Sequence, residues 1–478
     1  MLQWLRMRKT IAKKLKRWLA ILLVGACSLC FCACEDLVAI FSSALDSTLE
    51  GFLGWYEDGT VDENYVYTRT VGGGDYYYNR LIPEQQRFYK KLRIDLDKFF
   101  AGERELFSYT YEGKEYGLLG DYRYSTFGLT EQQGRQAFDA LYQDCPQYYA
   151  YDSVYLLHDD VSLSPVLSVN YKQKATRDAL DQKIAASVRT VGNLLQGAYT
   201  DFEKFEVIYQ YVMGQVEYEY DESGNPSETD HAGTIVGVLD GNRNTNSVCV
   251  GYTFSITYLC NIYGVECISV GNEALNHAWN MAKIDGNWYH ADATNDDGED
   301  WGELFLCSEE VFWQFFDYTA PAYDSGAADT MGRVGILPDV LDDLCYSRFT
   351  YKATEDGLAV SGVEIDQYYL RIPSSYQGES VHTIGYAFGA AATQLIGLVI
   401  PTSIRQIESS AFLLNAPQII FYEGTAEEFS EISVGVLNGA FADAQVYYYS
   451  EEPPTQNADS YWCYQDGLPG VWTNNNGE

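Results

Sequence analysis
Successive hydrophobic patterns along the chain predict different local architectures. Leu180, Ile184, Val188, Val191 and Leu195 recur every three or four residues, the spacing that lines one face of a helix. Ile208, Tyr209, Val212 and Val216 repeat that spacing, and Phe138, Leu141 and Tyr142 show it just before Pro146, which ends their helix. Residues 154–157 and 166–169 are short apolar runs of strand length. A denser run, 254–262, closes at Gly264 and reads as a buried helix with Ser247 near its cap and Cys249 in its first turn. A strand over 266–270 follows. The strings 277–284 and 287–292 then flank Asp285-Gly286, a strong hairpin signal.

Beyond Pro321 the texture changes to short strands and recurring strings. Ile372-Pro373 returns as Ile400-Pro401, and the Ala-Phe of Ile384-Gly385-Tyr386-Ala387-Phe388 returns at Ala411-Phe412 and Ala440-Phe441. Such periods indicate a solenoid whose units bury their apolar faces on one another. The expected organisation is a leader at 1–34, a mixed helical N-terminal region at 35–199 and a chemistry-bearing domain at 200–320. A linker at 321–350, a repeat region at 351–452 and a tail at 453–478 complete it. The fold class is α+β.

Charge narrows the partners. With 31 Lys and Arg against 68 Asp and Glu, the net charge is −37, a surface that repels phosphate backbones, so no nucleic-acid partner is expected. Basic residues crowd instead into the leader, from Arg6 to Arg17, ahead of an apolar stretch at 18–33. That stretch is short for a membrane span and suits an export signal. A cysteine directly after small residues, as in Val24-Gly25-Ala26-Cys27, resembles a bacterial lipoprotein processing site, which makes Cys27 the candidate lipidation site and membrane anchor. The expected location is extracellular, at the cell surface. The seven later cysteines contain no CxxC pair, so neither a zinc site nor a dense disulfide framework is indicated. Their odd number leaves at least one thiol unpaired.

Cys249 is the thiol with a chemical context. At a helix start it feels the positive end of the helix dipole, which favours thiolate. The hairpin supplies a base and an orienter. If Asp285-Gly286 is a two-residue turn, His277 lies diagonally from Asp292; if the loop spans 283–286, the two are directly opposite. Either register puts His277 and Asp292 on one face, over which the Cys249 helix must pack. The result is nucleophile, base and orienter in the order Cys249, His277, Asp292. His290 shares that face and is expected to serve packing or the substrate side. Cys260 and Cys267 read as inert core residues. Residues 295–300 lack EF-hand spacing and read as a solvated turn, so no metal or other cofactor is expected.

The strings Cys249-Val250-Gly251-Tyr252, His277-Ala278-Trp279 and Asp292-Ala293-Thr294 resemble the core of the transglutaminase-like superfamily, over about a quarter of the chain. The resemblance implies a papain-like fold and matches Cys249, His277 and Asp292 to its triad. The repeat strings resemble the leucine-rich repeats of bacterial surface antigens. Together they imply a cysteine enzyme that acts on amide or isopeptide bonds of a protein or peptide, such as a cell-wall peptide, through a thioester. The repeats would bind a host or surface ligand. The competing reading is a surface adhesin in which the papain-like unit is a non-catalytic scaffold.

Overall fold
A computed structural model describes residues 56–57, 59–111, 114–158, 162–242, 246–272, 275–297, 302, 304–316, 349–363, 368–393, 395–455, 457–465 and 468–472. The leader with Cys27, most of the expected linker, Cys345 and residues 298–300 lie outside the described residues. The described part is mixed α/β, and no helix in it is long and apolar enough to cross a membrane.

The N-terminal strands are β1 (Tyr56–Glu57), β2 (Phe107–Tyr111), β3 (Lys114–Leu118), β4 (Asp121–Tyr122), β5 (Tyr151–His158) and β6 (Ser162–Leu167). They form one sheet in the order β1-β4-β6-β3-β2, with β5 also paired to β6. Helices α1 (Pro83–Ala101) and α2 (Glu131–Asp144) pack against one another beside it. The second run expected as a strand stops at Leu167, because Val169 belongs to a short 3-10 turn whose start is capped by the Ser168 hydroxyl. The helical stripes are realised as α3 (Lys174–Leu194) and α4 (Asp201–Met213). Thr200 and Glu203 close a capping box at the start of α4.

The central unit is α5 (Ile235–Leu239), α6 (Cys249–Tyr263) and an antiparallel sheet of β7 (Cys267–Asn272), β8 (His277–Ile284) and β9 (Asn287–Ala291). Helix α6 is buried along most of its length, as its dense apolar run requires, and packs on β7 and β8. One polar side chain fixes that packing: the Asn280 amide on β8 donates to Thr253 O at 3.0 Å and Thr257 Oγ1 at 2.9 Å on α6. This unit and the N-terminal region share one hydrophobic core.

The C-terminal region has its own core and is β-rich. Strands Tyr369–Arg371, Gly397–Ile400, Ile419–Tyr422 and Gln445–Tyr449 lie side by side in parallel, so Leu370, Leu398, Ile420 and Val446 are neighbours. A second parallel ladder aligns Ile384 with Ile407 and Ile407 with Val434. The recurring phenylalanines form a column, with ring centroids of Phe388 and Phe412 5.7 Å apart and of Phe412 and Phe441 4.8 Å apart. Residues of positive φ stand one, two and four positions before them: Ala387 at 62°, Ser410 at 63° and Leu437 at 65°. Within the C-terminal tail, Tyr461–Gln465 extends the first ladder beside Gln445–Tyr449, with Trp462 buried against Phe421.

This region docks on the central unit. The Tyr376 hydroxyl donates to Glu206 of α4 at 3.2 Å, the Gln377 N–H donates to Glu203, and Arg371 pairs with Asp285 at 3.2 Å.

Gly251 controls how α6 starts. A Cβ there would stand 2.0 Å from Ser247 Oγ and 2.4 Å from Ala232 O, closer than atoms can approach. Gly251→Ala is therefore expected to destabilise the protein by roughly 1–3 kcal/mol, the usual cost of overpacking, as read by urea unfolding. A change within about 0.5 kcal/mol would mean that the α6 start is not packed as described.

Candidate active site
Two backbone devices place Cys249. The Ser247 hydroxyl donates to Ala232 O at 2.7 Å, and the Val248 N–H donates to the same carbonyl at 3.1 Å. Glu219 N–H donates to Ser247 O at 2.8 Å, which ties the segment before the helix to a short parallel bridge. The N-cap is Val248, beside Ser247, and its side chain offers no cap. Cys249 is the first helical residue, where N–H groups have no partner within the helix and the dipole is positive.

The hairpin sets the other two groups. Ile284 pairs with Asn287, and Asp285 and Gly286 have φ of 49° and 90°, so the turn has two residues and the 283–286 loop is excluded. His277 opens β8, while Asp292 follows β9 with its N–H donating to Leu304 O at 3.1 Å. His277 Nε2 donates to Asp292 Oδ2 at 2.6 Å. The fully buried carboxylate also accepts from the Asn295 amide at 2.7 Å, and from Thr294 N–H and Asn295 N–H at 3.1 and 3.3 Å. With Nε2 committed to Asp292, Nδ1 is the ring nitrogen left to face Cys249, which is near enough to act on the charge of the ring. Burial opposes a charged imidazole, but the charge and hydrogen bond of Asp292, aided by Cys249, outweigh it and push His277 up to about 10. The structure thus brings Cys249, His277 and Asp292 together.

Of the two roles open to His290, packing is the one seen: it is fully buried between Trp279 and Glu309. Asp296 is 3% exposed rather than solvated: it accepts from Tyr209 OH at 2.7 Å and Leu304 N–H at 3.0 Å. Burial pushes its carboxyl up to about 6, against those hydrogen bonds. Asp297 accepts from Tyr252 OH at 2.6 Å. The loop after Asp292 is therefore bolted to α4 and α6 through carboxylates, because each tyrosine buries its ring and needs an acceptor for its hydroxyl. Tyr252 was legible as part of a motif, whereas nothing in the sequence named Asp297 as its partner. Asn295 was read only as part of a polar turn. Among the described residues, Cys145, Cys249, Cys260 and Cys267 are free thiols, and no group of three or more His, Cys, Asp or Glu could hold a metal ion.

Residues 188–293 match the Transglutaminase-like superfamily. The chain is also similar to the mouse kyphoscoliosis peptidase, at 24% identity over 149 residues covering 28% of this chain and 21% of that protein. The human kyphoscoliosis peptidase aligns at 25% identity over 142 residues, 27% of this chain and 20% of its own length. The match thus spans about a fifth of these curated relatives.

Cys249, Cys145, Cys260 and Cys267 are 2%, 2%, 0% and 5% exposed, so access does not distinguish them. Electrostatics does: burial pushes the Cys145 and Cys260 thiols up, while Cys249 faces a positive helix end and an imidazolium. Timed iodoacetamide labelling of the native protein near neutral pH should modify Cys249 first, read by peptide mass spectrometry. Equal rates at all four would remove the electrostatic argument.

Proposed function
We propose that this chain is an exported, cell-surface cysteine enzyme that acts on amide or isopeptide bonds of a protein or peptide, such as a cell-wall peptide, through a thioester. The observation that supports this most is a single imidazole held by Asp292 at 2.6 Å and close enough to be influenced by a cysteine at the first position of a helix. In this reading His277 carries the proton and Cys249 the negative charge. The thiolate attacks the carbonyl carbon, and the carbonyl oxygen takes the electron pair beside the Cys249 N–H at the helix start. His277 then protonates the leaving nitrogen, the C–N bond breaks and a thioester remains. Water attacks it to give an acid, or an amine attacks to give a new amide; His277 takes the proton, and the C–S bond breaks to return the Cys249 thiolate. The peptidase name of the mouse and human relatives agrees with the hydrolytic branch. A cavity of about 630 Å³, lined by Glu217, Asn246 and Asp297 among others, borders the segment that leads into α6.

The anchor in this proposal is a lipid on Cys27. The parallel C-terminal ladders act as leucine-rich repeats that bind a host or surface ligand. A second reading, a binding protein with a non-catalytic scaffold, draws on the burial of Cys249, which is 2% exposed.

The two readings separate in one experiment. The full chain is incubated with a peptide library, quenched in acid and searched by mass spectrometry for a hydroxylamine-labile acyl group on Cys249. The enzyme reading predicts acylation that vanishes in Cys249→Ala and falls at least about a hundredfold in His277→Gln. No acylation, together with undiminished ligand binding, would support the scaffold instead.

A further inference from the structure
A second histidine lies behind the first, in a network that the site does not explain by itself. Trp279, two residues after His277 on the same face of β8, stands with its indole 16° from the His277 ring plane, centroids 6.2 Å apart. Its Nε1–H donates to His290 Nδ1 at 2.9 Å. An indole nitrogen can only donate, so His290 Nδ1 accepts and its proton sits on Nε2. His290 Nε2–H in turn donates to Glu309 Oε2 at 2.9 Å. The other oxygen of Glu309 accepts from Trp313 Nε1–H at 2.6 Å.

Helix α7 (Glu309–Phe315) supplies the far wall. Phe312 stacks on His290 with centroids 4.3 Å apart and meets Trp279 at 4.8 Å, while Phe316 just beyond the helix reaches the His277 ring at 5.5 Å. The backbone locks the same column: His290 and Cys307 exchange both hydrogen bonds, at 3.0 and 2.9 Å, immediately before the Ser308 cap of α7. His290 is fully buried, so it touches no substrate.

We propose that His290 is a positioning residue for His277, acting through Trp279: its fixed tautomer holds the indole plane that backs the imidazole facing Cys249. This inference rests on the reading of His277 as the partner of Cys249. A purely apolar residue at 290 would fill the core equally well, but it would leave the Trp279 N–H and the Glu309 Oε2 that His290 now holds without those partners. The indole would then be free to tilt toward another acceptor. The titratable groups facing His277 are Asp292 and Cys249, and Glu309 faces His290. A tilted Trp279 would release His277 from its alignment with Asp292, so the imidazolium would lose its proton at lower pH.

The test is the pH dependence of Cys249 alkylation in the folded, full-length protein. His290→Phe keeps an aromatic ring against Phe312 and loses both hydrogen bonds. It is expected to slow Cys249 alkylation at least about tenfold and to move the upper inflection of the profile to lower pH. His290→Gln, whose amide offers an acceptor and a donor, should restore most of the rate and the inflection. A folded His290→Phe protein with the wild-type rate and profile would overturn the proposal. If circular dichroism shows that this variant does not fold, Trp279→Phe takes its place, with the same expected shift and the same overturning result. His277→Gln distinguishes the two levels: alkylation indifferent to His277 contradicts the proposed function, whereas dependence on His277 with indifference to His290 overturns this inference alone.

Discussion
A carboxylate with no solvent exposure dictates much of the central unit. Asp292 is removed from water, and a buried charge is tolerated only when charged partners and hydrogen bonds replace its hydration. His277, Thr294 and Asn295 provide that replacement. Satisfying it turns the chain sharply after β9, which brings Asn295, Asp296 and Asp297 back against the protein. Those residues then find Tyr209 and Tyr252. The same charge holds the proton on His277, so the chemistry of the imidazole follows from the burial of its partner.

The nucleophile's position depends on small groups and one amide. Gly251 lets α6 begin against Ala232 and Ser247, and Asn280 pins the helix to the strand that carries His277. Both constraints are steric or directional rather than hydrophobic. They fix an orientation that burial alone leaves loose, since apolar packing tolerates small slips whereas a hydrogen bond does not.

The parts of this architecture that rest on local signals were legible in the sequence. Two positive-φ residues at Asp285-Gly286 demand a hairpin, the dense run after Cys249 demands a buried helix, and period-2 parity alone puts His277 and Asp292 on one face. What escaped were partnerships between distant polar residues. Asp296 looks like any exposed turn residue until Tyr209, 87 positions earlier, delivers a hydroxyl to it. His290 shared the face of Asp292, yet its role depends on Glu309 arriving from a later helix. Ser247 read as lying near the helix cap, as it does, but the sequence did not show that its hydroxyl is spent on Ala232 O. The Ile-Pro and Ala-Phe recurrences did correspond to neighbouring strands and stacked rings. The docking of that region onto α4 left no trace, because it uses one backbone N–H and single side chains. That docking ties the C-terminal region to the helix that also supports Asp296.

The central claim is that Asp292 keeps His277 charged beside Cys249. It is tested most directly by NMR titration of the full-length protein labelled in its five histidines, with His277 assigned from a His277→Gln sample. The account predicts an imidazole that stays protonated through neutral pH and titrates near 10, and whose titration falls toward the ordinary histidine range in Asp292→Asn. A His277 that titrates near 6.5 in both proteins would contradict it.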